Sequence, residues 1–172
     1  MTNPDPQPTS PLPLTVCRVD YSNAAHAAAL VLLLDAYARD PAGGGAPLGD
    51  RARKHLAAEL AARPQAFSVL AFEADGPVGL VNCIEGFSTF ACRPLINVHD
   101  VVVLAGHRGK GIAAQMLAMV EEIARRRDAC KLTLEVLEGN RKAADLYARL
   151  GYAGYQLDPA MGNARFLQKW IE

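Results

Sequence analysis

The stretch His107-Arg-Gly-Lys-Gly-Ile-Ala113 constrains the fold of this chain more than any other part of its sequence. It follows an unbroken apolar run, Val101 to Leu104, and leads directly into a pattern with apolar residues at helical spacing. Two glycines and two cations therefore stand where a buried strand turns into a helix. Glycines at the start of a helix let backbone N–H groups converge on an anion, because no Cβ blocks the approach. We predict an anion site at residues 108–113, with phosphate as its natural ligand.

Net charge argues against nucleic acid or a membrane as the main partner. The 172 residues include 18 Lys+Arg and 18 Asp+Glu, so there is no overall charge to attract a polyanion. The charges are divided unevenly, with a net of −3 in residues 1–90 and +3 in residues 91–172. An anionic ligand is therefore expected in the C-terminal half.

Cysteine spacing predicts neither a metal site nor a disulfide framework. The four cysteines lie far apart, with no Cys-x-x-Cys pair and no histidine at zinc spacing. We interpret them as reduced thiols of a cytoplasmic protein. The longest apolar stretch, Ala27 to Leu34, is too short to span a bilayer.

Length and composition predict one domain preceded by a tail. The first fourteen residues, MTNPDPQPTSPLPL, contain five prolines and no apolar segment of the kind that signal peptides have. We therefore expect a disordered proline-rich tail at residues 1–13. The remaining residues, 14–172, suit a single α/β domain, since 51% of the chain is hydrophobic.

Hydrophobic periodicity and turn residues predict the order β-α-α-β-β-β-α-β-α-β-β. The predicted strands are 15–19, 67–73, 78–87, 95–104, 131–136, 152–157 and 165–170. Helices are expected to begin at Ser22 or Asn23, at Arg51, in the glycine-rich stretch and after Asn140. This order is typical of a mixed sheet with helices on both faces.

Two motifs resemble those of the GNAT superfamily of acyl-CoA-dependent N-acyltransferases. The residues Arg108-Gly109-Lys110-Gly111-Ile112-Ala113 are similar to its R/Q-x-x-G-x-G/A signature, whereas Walker and dinucleotide-binding patterns are absent. The segment LTLEVLEGNRKAADLYARLGY, Leu132 to Tyr152, resembles its second motif, with Asn140, Tyr147 and Gly151-Tyr152 at the matching positions. The resemblance covers roughly residues 14–171 and implies the GNAT fold, an α+β fold with a mostly antiparallel central sheet.

The resemblance implies that the anion is the pyrophosphate of acetyl-CoA, a co-substrate. It also implies that the strand before the glycine-rich turn offers its backbone to the pantetheine arm, and that Asn140 bonds this arm or a bridging water. The residues expected to bind acetyl-CoA are Val101, Val102, Val103, Arg108, Gly109, Lys110, Gly111, Ile112, Ala113, Asn140, Ala143 and Tyr147.

By the same resemblance, Tyr147 is the general acid that protonates the departing thiolate. The general base has three candidates that the sequence separates little, with His99 ranked first, Glu135 second and Asp100 third. His99 lies where polyamine acetyltransferases of the superfamily have a Glu, Glu135 lies where ribosomal-protein alanine acetyltransferases have their base, and Asp100 is the third. Strand alternation places His99 and Asp100 on opposite sides, so only one of these two can face the cleft.

The acceptor is expected to be a primary amine of a small molecule, acetylated by direct transfer in a ternary complex. Tyr37, Glu85 and Asp40 could attract a cationic amine, and Phe87 could form an aromatic wall. Two alternatives are acetylation of a protein or peptide amine, and a catalytically silent regulatory protein that binds acyl-CoA. The apolar end, Phe166 to Ile171, could form a homodimer interface or cover the core.

Overall fold

A computed structural model describes residues 13–155, 158, 160, 162 and 164–171. The tail expected at residues 1–13 lies outside this range except for Pro13. The chain divides into two compact units, the first ending at Glu135 and the second beginning at Val136. None of the helices described is long and apolar enough to cross a membrane.

The first unit is built on a five-stranded sheet in which the strands lie side by side in chain order. They are β1 (Thr15–Arg18), β2 (Ala66–Glu73), β3 (Gly76–Ser88), β4 (Arg93–Val103) and β5 (Leu132–Leu134). Strands β1 to β4 are antiparallel to their neighbours, whereas β5 pairs with β4 in parallel. The predicted mixed, mostly antiparallel sheet is confirmed.

The described residues of this unit form three α-helices: α1 (Ala24–Arg39), α2 (Asp50–Ala61) and α3 (Ile112–Arg126). Asn23 caps α1, because its side chain accepts hydrogen bonds from the N–H groups of Ala25 and His26. Helix α3 buries one apolar stripe at helical spacing, formed by Ile112, Met116, Leu117, Val120, Ile123 and Ala124. These elements agree with the predicted ones to within one or two residues at their ends.

Helices α1 and α3 pack on opposite faces of the sheet. A row of buried cross-strand neighbours packs against α1: Leu70, Leu80 and Val102. Gly79 precedes Leu80 on β3 and therefore faces the other way. A Cβ added to Gly79 would lie 2.8 Å from Met116 Cε of α3. The sheet thus has helices on both faces, as the sequence predicts.

A β-bulge in β4 changes which face its side chains point to. Asn82 pairs with Asp100 and the next residue of β3, Cys83, pairs with Val98, so His99 has no partner on β3. An extra residue in one strand breaks the alternation of side chains across the sheet. Val98 and Asp100, although two residues apart, therefore point to opposite faces: Val98 to the α3 face and Asp100 to the α1 face.

The prediction of two closing strands at 152–157 and 165–170 is wrong for the residues that the structure describes. Residues 156 and 157 are not among the described residues. The second unit contains α4 (Arg141–Arg149), after which residues 152–155 and 164–171 are not strands. Apolar composition favours a strand only where a neighbouring strand completes the ladder. The apolar side chains here are mostly exposed, as Trp170 is at 84%.

Candidate functional site

The pairing of β4 with β5 ends halfway along β4. Their ladder joins Ile96–Val98 to Leu132–Leu134, whereas the pairing of β4 with β3 continues to Val103. Beyond Val98, one edge of β4 therefore has no strand beside it in the part of the chain that the structure describes. An exposed strand edge can bind an extended ligand that carries amide groups.

Alternation along β4 determines which backbone groups lie on that edge. The Leu104 N–H donates to the Val78 carbonyl of β3 at 3.0 Å. In an antiparallel pair, alternate residues bond to the same neighbour, so the backbone of Val102 also faces β3. The N–H and C=O groups of Val101 and Val103 face the open edge. The Val103 carbonyl already accepts a hydrogen bond from Arg108 Nε at 2.9 Å.

The glycine-rich turn begins α3 in the geometry of an anion site. Gly109 and Gly111 have φ of 81° and 78°, in the left-handed region where side chains are disfavoured. Gly111 is the N-cap of α3 and has no side chain to cap the helix. The first helical hydrogen bond runs from Gln115 N to the Gly111 carbonyl at 3.1 Å. The N–H groups of Ile112 and Ala113 therefore have no partner within the helix, as the anion site requires.

Ion pairs tie this turn to the sheet and to the end of α1. Arg108 Nη2 lies 2.8 Å from Asp40 Oδ2, and this hydrogen bond lowers the pKa of the Asp40 carboxyl. On the other side of the turn, the carboxylate of Glu73 in β2 lies 2.9 Å from His107 Nδ1 and 3.7 Å from Lys110 Nζ. The side chain of Arg108 is thus held by protein groups, and the backbone amides remain the main groups for an anion.

Three polar side chains, those of Asp100, Tyr37 and Asp40, lie near one another on the α1 face, beside the same part of β4. Asp100 is half-buried, and its Oδ2 accepts a hydrogen bond from Asn82 Nδ2 at 3.0 Å. Burial raises the pKa of the Tyr37 hydroxyl, and the nearby carboxylates of Asp100 and Asp40 raise it further. Since Asp40 is paired with Arg108, Asp100 is the carboxylate of this group that is left to attract a cationic amine.

The loop after α1 is folded tightly against the end of that helix. It begins with a short 3-10 turn, Pro41–Gly43, in which Asp40 Oδ1 accepts from the Ala42 N–H at 3.0 Å. Further along the loop, Leu48 N–H donates to Asp35 Oδ1 at 2.9 Å. Both carboxylates hold backbone in place, so the position of Asp40 is fixed by the loop as well as by Arg108.

The other two candidate bases lie where β4 and β5 part. His99 and Glu135 follow the last ladder pair, Val98 and Leu134, and both are exposed. Among the residues described, neither side chain has a hydrogen-bond or ion-pair partner. Of the three candidates, only Asp100 is held in one position by a neighbouring side chain.

Glu85 and Phe87 lie away from this surface. Glu85 points to the α3 face of β3, where Arg127 Nη1 bonds its carboxylate at 2.8 Å. Phe87, near the end of the β3–β4 hairpin, is 59% exposed, and Phe90 in the turn is fully exposed. An amine near Asp100 would therefore meet neither the Glu85 carboxylate nor these rings on its own face of the sheet.

The second unit fixes Tyr147 through the end of α4. Asn140 caps the helix by accepting from the Ala143 N–H at 3.3 Å. At the other end, Tyr152 N donates to the Tyr147 carbonyl at 3.0 Å around Gly151, which has φ of 89°. This is a Schellman ending, and it brings the rings of Tyr147 and Tyr152 to 5.8 Å in an edge-on arrangement. The predicted helix cap and glycine stop are confirmed.

Three polar residues near Asp100 were missed by the sequence analysis. Ser68 and Asn82 are buried in the centre of the sheet, and Tyr21 reaches Ser68 from the end of β1. The signal that could have found them is a single polar residue inside each of two apolar strands, in Phe67-Ser-Val-Leu and Leu80-Val-Asn-Cys. Next to them, burial raises the pKa of the Cys83 thiol to about 12, so this thiol stays protonated.

Comparisons with known proteins agree on the family of the chain. The profile of the Acetyltransferase (GNAT) family matches residues 30–152, which is more than half of the chain. A streptothricin acetyltransferase of Streptomyces lavendulae is 36% identical over 87 residues, covering 49% of this chain and 46% of the relative. A thialysine N-epsilon-acetyltransferase of Bos taurus is 36% identical over 81 residues, covering 46% and 47%. The match thus spans about half the length of these curated relatives.

Solved structures agree on the fold. An aminoglycoside acetyltransferase from an uncultured soil metagenomic sample, solved in complex with sisomicin, superposes with a TM-score of 0.73. The two sequences are 14% identical, and the match covers 92% of this chain and 97% of the other. At this identity the similarity concerns the fold alone.

Replacing Gly43 by Ala is expected to displace the loop that follows α1. The added Cβ would lie 2.0 Å from the Tyr37 carbonyl oxygen, so the backbone has to move. We expect a loss of about 1–3 kcal/mol in the free energy of unfolding, as for other overpacked sites, measured by urea denaturation. The control is Gly106→Ala, an exposed glycine that meets nothing within 4 Å and lies outside the left-handed region, so it should change the free energy of unfolding by about 0.5 kcal/mol or less. Equal losses in the two variants would contradict the tight contact.

Proposed function

Because the chain belongs to the GNAT family of acetyltransferases, we propose that it transfers the acetyl group of acetyl-CoA to a primary amine of a small cationic molecule. Both substrates are bound together and the transfer is direct. The observation that carries this proposal is the open edge of β4 beside a glycine turn that begins α3. The two features offer an amide-binding strand and a phosphate-binding helix end next to each other in the chain.

The residues present fit acetyl-CoA. Its diphosphate needs several converging N–H donors, and the turn at Gly109 to Ala113 supplies backbone donors with open space where each glycine Cβ would be. Its pantetheine arm carries amides, and Val101 and Val103 offer N–H and C=O groups on the edge of β4. When bound, acetyl-CoA supplies an activated acetyl thioester.

The protein's own groups manage the protons of the reaction. The ammonium of the acceptor first gives one proton to the Asp100 carboxylate, from which the proton passes to solvent. The neutral nitrogen then forms the C–N bond with the acetyl carbonyl carbon as the C–S bond breaks. Tyr147 gives its phenol proton to the departing sulfur, and the second proton of the amine replaces it. A phenol suits this task because it is protonated at neutral pH.

Asp100 is the base that we favour over His99 and Glu135. Its carboxylate is held by Asn82 at 3.0 Å and lies near Tyr37, so an ammonium placed there is both attracted and oriented. A general base acts efficiently only when it is within hydrogen-bond reach in a fixed geometry. His99 and Glu135 are exposed and are held by no side chain among the residues described.

The class of acceptor follows from the Asp100 carboxylate. Asp40 is already paired with Arg108, so the Asp100 carboxylate near Tyr37 on the α1 face is the group that would receive a compact cationic amine. Two relatives of the chain are a streptothricin acetyltransferase and a thialysine N-epsilon-acetyltransferase. We therefore propose a small molecule with one or more amines, rather than a peptide, as the acceptor.

Replacing Gly109 by Ala is expected to weaken acetyl-CoA binding. A side chain at φ of 81° costs about 1–2 kcal/mol, so the turn loses the conformation that aims its N–H groups. Calorimetry should show acetyl-CoA affinity reduced by about tenfold, the equivalent of roughly 1.4 kcal/mol. The matched control is Gly106→Ala, which lies in open space outside the left-handed region and should bind normally. Unchanged binding in Gly109→Ala would refute the anion site.

Replacing Tyr147 by Phe is expected to reduce kcat without changing acetyl-CoA affinity. The variant keeps the ring that packs edge-on against Tyr152 and removes only the proton donor. Loss of a general acid lowers the rate by about 10²–10⁴-fold, which thiol release from acetyl-CoA with thialysine or streptothricin would measure. Tyr155→Phe, an exposed tyrosine of the same unit, is the control. A wild-type rate in Tyr147→Phe would remove Tyr147 from the mechanism.

Three substitutions decide between the candidate bases. We expect Asp100→Asn to lower kcat/KM for the amine by about 10²-fold or more, the scale of general-base catalysis, because Asn cannot take a proton. Glu135→Gln and His99→Gln should each remain within about threefold of wild type, since exposed side chains contribute little to a fixed geometry. The same amines serve as acceptors in all three assays. If His99→Gln or Glu135→Gln has the largest effect, the assignment to Asp100 is wrong.

A further inference from the structure

We infer that Tyr21, Ser68 and Asn82 are positioning residues for acetyl transfer, because they form a row of directed hydrogen bonds that ends on the Asp100 carboxylate. The inference rests on the proposed function, in which Asp100 receives the amine. None of the three touches the reacting atoms in this proposal; they act through Asp100.

The register of the sheet builds the row. Ser68 of β2 is the cross-strand partner of Asn82 on β3, which is in turn the partner of Asp100 on β4. Beyond β1, Val19 N bonds the Ser68 carbonyl at 2.8 Å, and this places the Tyr21 hydroxyl 2.9 Å from Ser68 Oγ. A line of side chains therefore begins at Tyr21, just after β1, crosses β2, β3 and β4 on the α1 face, and stops at Asp100.

The charge at the end of the row sets the direction of every bond. An ionised carboxylate only accepts hydrogen bonds, so Asn82 must turn its NH₂ group toward Asp100, at 3.0 Å. The Asn82 carbonyl oxygen then faces Ser68, whose hydroxyl donates to it at 2.6 Å. Since Ser68 has only one proton, its oxygen accepts from Tyr21. Reversing any one bond would leave a buried donor or acceptor without its partner.

Burial makes the row costly unless every member is satisfied. Ser68 is fully buried and Asn82 is 6% exposed, and they are the buried polar residues of the part of the chain that is described. The adjacent row on the same face, Leu70, Leu80 and Val102, shows that apolar side chains pack under α1 at these strands. A polar row in the same layer is hard to explain by packing, because buried polar groups stabilise little even when paired. It is explained by what it does to Asp100.

The row fixes one oxygen of Asp100 and leaves the other for the acceptor. Asn82 holds Oδ2, and among the described residues no side chain donates to Oδ1. The carboxylate is therefore held in one rotation, with Oδ1 available to an ammonium beside Tyr37. Positioning of this kind affects the amine and leaves the binding of acetyl-CoA unchanged.

A double-mutant cycle tests whether the row acts through Asp100. The variants are Ser68→Ala, Asp100→Asn and the pair together, assayed for acetyl transfer to thialysine. We expect Ser68→Ala to lower kcat/KM for the amine by about tenfold with acetyl-CoA affinity unchanged. In the Asp100→Asn background the same change should have no further effect, since residues that act as one unit are not additive. A tenfold loss in both backgrounds would overturn the inference.

The matched control removes a hydroxyl of the same sheet that does not lead to Asp100. Thr133 Oγ1 accepts from Asn97 Nδ2 at 3.2 Å, and Thr133→Val deletes this hydrogen bond with little change in volume. We expect wild-type kcat/KM in this variant. A loss as large as that of Ser68→Ala would mean that any polar deletion in the sheet has this effect. If Ser68→Ala does not fold, Tyr21→Phe removes the first donor of the row at a half-buried position.

A second readout does not depend on activity, so it separates failure of this inference from failure of the proposed function. The carboxyl ¹³C resonance of Asp100 is assigned by its absence in Asp100→Asn. We expect it to move in both Ser68→Ala and Tyr21→Phe and to stay in place in Thr133→Val. If the protein acetylates no amine but the resonance moves, the proposed acetyl transfer fails and the row stands as a positioning device for Asp100. An unmoved resonance in both variants overturns the inference.

Discussion

A central strand that loses its neighbour halfway along leaves backbone groups that need other partners, and the site of this protein depends on that constraint. Strand β4 is paired with β5 over Ile96–Val98 only, and with β3 up to Val103. Backbone N–H and C=O groups inside a protein are nearly always paired. Arg108 donates a hydrogen bond to the Val103 carbonyl. In the proposed function, the ligand bonds the other backbone groups on the open edge of β4. The chain then enters the glycine turn, which places the open strand edge and the start of α3 next to each other in the sequence.

The sheet places different tasks on its two faces. On the α3 face, Glu85 and Arg127 pair with each other, and Arg127 lies over the Phe67 ring at 4.7 Å. On the α1 face, a row of polar side chains leads to Asp100, next to a wholly apolar row. Ion pairs on the α3 face stabilise the fold and are complete within the protein. The polar row on the α1 face ends in the Asp100 carboxylate, whose Oδ1 has no side-chain donor among the described residues.

Local signals explain what could be predicted from the sequence. The glycine turn, the Asn23 and Asn140 caps and the Gly151 stop each depend on the conformation of a few neighbouring residues, and the structure confirms them. The polar row could not be predicted in this way, because Tyr21 and Ser68 lie 47 residues apart and meet only through the register of the sheet. The wrong closing strands have the converse cause: apolar residues were present, but a strand also needs a partner. The pairing of Glu85 with Arg127 could not be predicted locally either, because it depends on how the end of α3 packs against the sheet.

The bulge at His99 lets one strand supply two separate interiors. Before it, Ile96 and Val98 belong to the layer under α3; after it, Asp100 and Val102 belong to the layer under α1. Removing one residue here would rotate the whole segment that follows by half a turn. The Asp100 carboxylate would then point into the layer under α3, and the loss of the Val102 side chain would leave a cavity in the layer under α1. The length of β4 is therefore as tightly determined as its composition, and an insertion or deletion near His99 would damage folding and chemistry together.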